Sequence, residues 1–232
     1  MHINRLQELH KKTQQNNIDF YTPGGMHVFF KDRLTNDDVD VEAILAKIES
    51  KIPQHLYSEI EMIIVGWFEE FEERSINAFY DSGTIYVSNI QDDNADMYDD
   101  IVHELAHALE EVYGYSIYAD EKVKDEFLRK RKHLHDILWN HGFKAPLAFF
   151  TEVEFDQEFD DFLYKTVGYD KLSALLQGVF LSAYAATSLR EYFATGFTEY
   201  YLDPNHGFFK KVSPSLYTKI YQLQNPDELD NY

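Results

Sequence analysis

His103 and His107 stand four residues apart, with Glu104 directly after the first, in a run whose apolar residues recur at helical spacing. Four residues are slightly more than one α-helical turn, so both imidazoles leave the same face and can grip one ion. Glu104 projects about 100° around the helix from His103, where a carboxylate can act beside an ion without binding it. The run His103-Glu104-Leu105-Ala106-His107 therefore demands a helix here, buried along Ile101, Leu105, Ala108, Leu109 and Val112. Asn94 or Asp96 is expected to open it, with Asp99 and Asp100 in its first turn at the positive end of the dipole. Gly114 is expected to end it.

Upstream, the pattern predicts a small mixed lobe over about 20–93. Residues 1 to about 20 carry Ile3, Leu6 and Leu9 at helical spacing and suit either a short docking helix or a loose arm. Tyr21-Thr22-Pro23-Gly24-Gly25 is turn punctuation, and Met26 to Phe30 is β-prone. Asn36 or Asp37 is expected to cap a helix over Val39 to Ile52, with Val41, Ile44, Leu45 and Ile48 as its buried stripe and Pro53 after it. Ile60 to Phe68 has the apolar run of a buried central strand. Ile76 to Tyr80 and Thr84 to Ile90 flank the hairpin turn Asp81-Ser82-Gly83. Downstream, about 94–232 reads as helical, with further helices near 121–140, 158–166, 169–182, 188–202 and 213–223. The fold class expected is α+β, one domain of two lobes.

Composition narrows what this scaffold can do. Forty-one acidic residues against 21 basic ones give a formal net charge of -20, which repels phosphate backbones and argues against nucleic-acid binding. There is no cysteine, so any metal must be held by histidine and carboxylate. The first residues lack the apolar stretch of a secretory signal, and Ser173 to Ala186 is too short to span a bilayer. The chain is expected to be soluble, without a membrane partner, and a cytoplasmic, virion-associated or released protein fits equally.

H-E-x-x-H on an amphipathic helix, directly after a β-hairpin, is the sequence form and order of a zinc peptidase active site. Two surface histidines on one helix face are the plainer alternative. A catalytic zinc takes three protein ligands and keeps one position open. Position 113 is Tyr, which removes the pattern with a third histidine six residues on. Glu191, in Ser188-Leu189-Arg190-Glu191-Tyr192-Phe193-Ala194, is the best downstream candidate, although an ordinary first-turn glutamate fits that position equally well. His133, His135 and His141 have charged neighbours and read as solvent-facing.

The segment from Ser182-Ala183-Tyr184-Ala185-Ala186-Thr187 through Glu191-Tyr192-Phe193-Ala194-Thr195-Gly196-Phe197 resembles the C-terminal signature of the lethal-factor-like zinc peptidases. This is the gluzincin-type group of the anthrax lethal factor catalytic domain and the secreted Pro-Pro endopeptidases. The resemblance covers the C-terminal half. It implies Glu191 as third zinc ligand and Tyr184, seven residues earlier, as a catalytic phenol. With His103 and His107 as ligands of one Zn²⁺ and Glu104 as base, five positions agree in type and order. Three features depart from the family: a longer stretch between His107 and Tyr184, with an acidic and aromatic insertion near 120–161; Thr195, where relatives carry an acid behind the ligands; and Ala106 in place of Gly. The insertion suits either a lid or an extra helical layer.

The activity implied is endopeptidase chemistry by a metal-activated water. The substrate, a peptide or protein, is expected to lie extended along Thr84–Ile90 as an edge strand. Two other readings remain. One is a zincin fold kept for binding or structure, as in a virion component, which would have no need of Glu104. The other is an aminopeptidase.

Overall fold

The structure, a computed structural model, describes residues 19–74 and 76–225. The N-terminal arm expectation (residues 1 to about 20) therefore falls almost wholly outside the described residues. Two compact units divide at Ala108/Leu109.

The first unit is built on a five-stranded sheet. Strand β1 (Asp19–Tyr21) pairs antiparallel with β2 (His27–Phe30) across the Pro-Gly-Gly turn. Helix α1 (Val41–Lys51) and a 3-10 turn (Gln54–Leu56) precede β3 (Met62–Gly66). A short helix α2 (Glu69–Arg74) leads into β4 (Ala78–Asp81), which turns through Ser82 and Gly83 into β5 (Thr84–Ser88). The spatial order is β1-β2-β3-β5-β4, with β2, β3 and β5 parallel and an antiparallel pair at each edge. Both hairpin residues have positive φ, 47° at Ser82 and 83° at Gly83. That twist matches the flanking strands, and Gly83 accepts it without steric cost.

Alternation decides which face is core. Val28, Ile63, Val65, Ile85 and Val87 are fully buried on one side of the sheet, and α1 buries its own stripe of Val41, Ile44, Leu45 and Ile48. On the other face Phe79 and Tyr86, opposite each other in register, stack at 4.5 Å, and Phe68 meets Tyr86 edge-on at 5.1 Å.

Two expectations change here. The cap of α1 is Asp40, whose side chain accepts from the Ala43 amide at 3.0 Å, while Asn36 is used one turn earlier on the Asp38 amide. The strand Thr84–Ser88 is not an edge, because β3 pairs on one side of it and β4 on the other. Among the described residues, the outer strand on that side of the sheet is β4. Alternating polarity marks a half-exposed face, and this carries no information about which hairpin strand inserts beside β3.

Helix α3 (Asn94–Tyr118) carries the motif and is longer than its sequence punctuation implies. Asp93 caps it, accepting from the Ala95 and Asp96 amides at 2.7 and 3.0 Å. Asp99 and Asp100 thus lie in the second turn and Asp96 takes the first. Gly114 does not end the helix. A helical glycine costs only about 1 kcal/mol, and fully buried Ile117 holds the turns beyond it. Val112, expected in the buried stripe, is 49 % exposed.

The second unit is helical. Helix α4 (Lys122–Asn140) is followed by a 3-10 turn (Leu147–Phe150), α5 (Gln157–Asp161) running into a π-helical turn (Phe162–Val167), and α6 (Tyr169–Leu175). A 3-10 turn (Tyr184–Ala186) precedes α7 (Leu189–Leu202), α8 (Gly207–Val212) and α9 (Pro214–Leu223). Phe127, Phe150, Phe159, Phe193, Phe197 and Leu216 fill its core. The insertion resolves into a packed layer: α4 lies against α7, α9 and the Leu147–Phe150 turn, with Phe127, Leu134 and Leu138 fully buried. Among the described residues no helix is long and apolar enough to cross a membrane. A small mixed sheet followed by a largely helical half is the α+β, zincin-like architecture the sequence predicts.

Candidate metal centre

The two histidines leave α3 side by side, their rings 5.0 Å apart at 77°. Glu191 is set by the start of α7. Ser188 is the cap residue and its hydroxyl accepts from the Glu191 amide at 3.1 Å, which places Glu191 at the third position of the helix. Buried Tyr192, Phe193 and Ala194 follow and anchor that turn in the core.

His103, His107 and Glu191 each present one ligand atom, and these atoms lie within 4.8 Å of one another, all three residues half-buried. Tetrahedral zinc with bonds near 2.1 Å sets its ligands about 3.4 Å apart, a span that small side-chain rotations reach from here. Two imidazoles and one carboxylate with no thiolate form a donor set suited to a catalytic zinc, and the residues fit the ion. Glu104 is half-buried on the same helix, and Tyr184 is 39 % exposed in its 3-10 turn.

The surroundings include groups the sequence reading passed over. Asp99 lies one turn before His103; burial raises its carboxyl above the usual range and the neighbouring His103 opposes that rise. An acid beside a metal-binding histidine can orient the ring, and with Thr at position 195, Asp99 is the acid found near His103. Asp100, pushed up to about 6 chiefly by burial, accepts from the Gln91 amide at 3.0 Å. Near Glu191, the Tyr169 hydroxyl donates to Asp160 at 3.0 Å. Burial and the Asp160 charge push the Tyr169 phenol up, with Glu191 contributing. In a chain with 17 tyrosines, no spacing singled out Tyr169.

The turn carrying Tyr184 is held from the insertion. Arg131, 1 % exposed, donates to the Ala186 and Thr187 carbonyls at 2.5 and 3.1 Å and also to Phe149. Its guanidinium lies 4.0 Å from the Phe159 ring. Glu126, also buried, accepts from the Tyr192 hydroxyl at 2.8 Å and from the Ser215 and Leu216 amides at 2.8 and 3.1 Å. It thereby caps α9 from another helix and fixes the residue beside Glu191. His133 and His141 are exposed, and His135 packs against Phe150 at 5.1 Å, so none joins the cluster.

No protein-family model matches this chain, and no match is found among the curated proteins or the solved structures.

Proposed function

We propose that the protein is a zinc-dependent endopeptidase of the gluzincin type, related to the lethal-factor-like peptidases. The observation that carries the proposal is the convergence of His103, His107 and Glu191, residues 84 positions apart between the second and third, on ligand atoms within 4.8 Å. Surface histidines on one helix face need no distant half-buried carboxylate between them.

In this reading His103, His107 and Glu191 hold one Zn²⁺. When bound, the ion supplies Lewis acidity, polarising the scissile carbonyl and acidifying a water. Glu104 takes the proton of the attacking water and delivers it to the leaving amine. Tyr184 donates its hydroxyl to the oxyanion that develops on the carbonyl oxygen. An extended substrate pairs through its backbone with the outer strand β4, leaving sequence preference to side-chain pockets. A fold kept only for binding would not require Glu104.

Metal analysis and cleavage of a peptide library test this together. One zinc per chain and internal cuts are expected, with Glu104→Gln retaining zinc and losing turnover. A chain that takes up no zinc on supplementation overturns the metal centre. Full activity in Glu104→Gln removes that residue from the mechanism, and cuts confined to peptide termini replace the endopeptidase with an exopeptidase.

A further inference from the structure

Away from the three metal-site residues, the helical unit contains a cavity of about 370 Å³ whose charge runs against that of the whole chain. Arg129, Lys130, His133 and Lys211 line it, and Glu126 is its one acidic wall residue. In a protein with 41 acidic and 21 basic residues, two lysines, an arginine and a histidine facing one space need an explanation. Glu126 offsets only one of them: its carboxylate, held by the Tyr192 hydroxyl and the first amides of α9, acts on Lys130, and the lining keeps a net positive charge. Lys130 donates to the Ser213 hydroxyl at 2.7 Å and lies about 5 Å from the Phe180 and Tyr192 rings. None of these partners carries a negative charge. Burial draws the Lys130 ammonium down to about 8, the Arg129 charge adds to the fall, and the Glu126 carboxylate opposes it. Among the described residues, no carboxylate lies within ion-pairing distance of Arg129, Lys130 or Lys211.

We propose that this cavity binds a phosphate monoester. A carboxylate would neutralise one cation and leave the rest repelling one another, whereas a phosphate dianion can engage an arginine fork and two ammonium groups together. Val179, Val212 and Pro214 complete the wall and offer an apolar surface to whatever carries the phosphate. The carrier is a small molecule or a phosphorylated side chain. The acidic surface of the chain disfavours a polyanion such as RNA.

The probes are inorganic phosphate, phenyl phosphate and a phosphoserine peptide, titrated calorimetrically at low ionic strength into the zinc-loaded protein and the metal-stripped protein. Saturable binding that survives zinc removal is expected. It should weaken about tenfold or more in the Arg129→Glu/Lys211→Glu double variant, whose altered side chains are exposed and should leave the fold intact. Arg129→Gln alone, with a smaller loss, serves if the double reversal impairs folding. Preference for the peptide over phenyl phosphate identifies a protein carrier, and the reverse identifies a small molecule. The proposal is overturned if no probe saturates, if the variants bind as well as the parent, or if binding vanishes with the zinc. This outcome is independent of whether the metal centre is catalytic.

Discussion

Glu110 accepts a hydrogen bond from Nε of Arg190 at 3.0 Å, joining the residue three positions after His107 to the one immediately before Glu191. The Glu110 side chain is only 8 % exposed and also accepts from the Tyr118 hydroxyl, whose phenol is pushed up by burial and by the Glu110 charge. Partners behind a metal ligand typically change its affinity by about 10- to 100-fold. Arg190→Met is expected to weaken zinc binding about tenfold, measured by competition with a chromophoric chelator. If melting temperature falls and zinc affinity holds, the pair stabilises the unit without positioning Glu191.

In the proposed mechanism two phenols are candidates for the oxyanion role. Tyr184 lies seven residues before Glu191, and Tyr169 is close enough for Glu191 to affect its ionisation. Tyr184→Phe is expected to lower kcat about a hundredfold with KM and zinc content unchanged, as for other lost oxyanion donors. Tyr169→Phe is expected to alter kcat only a few-fold, because its hydroxyl is engaged with Asp160. The opposite ranking in steady-state assays would transfer the role to Tyr169.

What the sequence discloses here follows from what has a local signature. The His103–His107 spacing and the α1 stripe are periodic, and periodicity survives folding. Ser188-x-x-Glu191 is legible as a helix start, but as a candidate metal ligand Glu191 depends on a partner 84 residues earlier, and no local pattern separates it from an ordinary first-turn glutamate. Arg131 and Glu126 sit in the run Lys122 to Lys132, whose basic residues broken by Asp125 and Glu126 have the pattern of a solvated helix face. Their partners are backbone carbonyls and amides, which have no residue identity to recognise. Position 114 misleads for the same reason, since Ile117, which holds the helix beyond it, is buried by tertiary packing.

Arg131 offers a direct test of the insertion's role. Replacing it with Met leaves the Ala186, Thr187 and Phe149 carbonyls without their donor, each at a cost of about 1 kcal/mol or more, against the relief of removing a buried charge. A net destabilisation of about 2–3 kcal/mol in urea titration is expected. Arg131→Lys should not restore it, because one ammonium cannot span three carbonyls that the planar fork reaches. Full rescue by lysine would mean that charge, not the forked geometry, holds the Tyr184 turn.

Asp100 imposes a pH dependence of definite sign. Its carboxyl titrates near 6 in the folded chain, raised by burial and by Asp96, Asp99 and Glu104 against the Gln91 hydrogen bond, and near its ordinary value of 3.8 when unfolded. Between those values the folded state keeps a proton that the unfolded state has released, so this group's contribution falls as pH rises from about 4 to 6 and stays low above. Two units correspond to about 3 kcal/mol, which solvent screening of a half-buried group reduces to about 1–2. Asp100→Asn keeps an acceptor for Gln91 and removes the charge. In chelator, so that metal release does not contribute, the variant is expected to exceed the parent by about 1–2 kcal/mol at about pH 8 and to match it near pH 4. A variant less stable than the parent at about pH 8 would show that the ionised carboxylate is stabilising there, reversing the sign of the assignment.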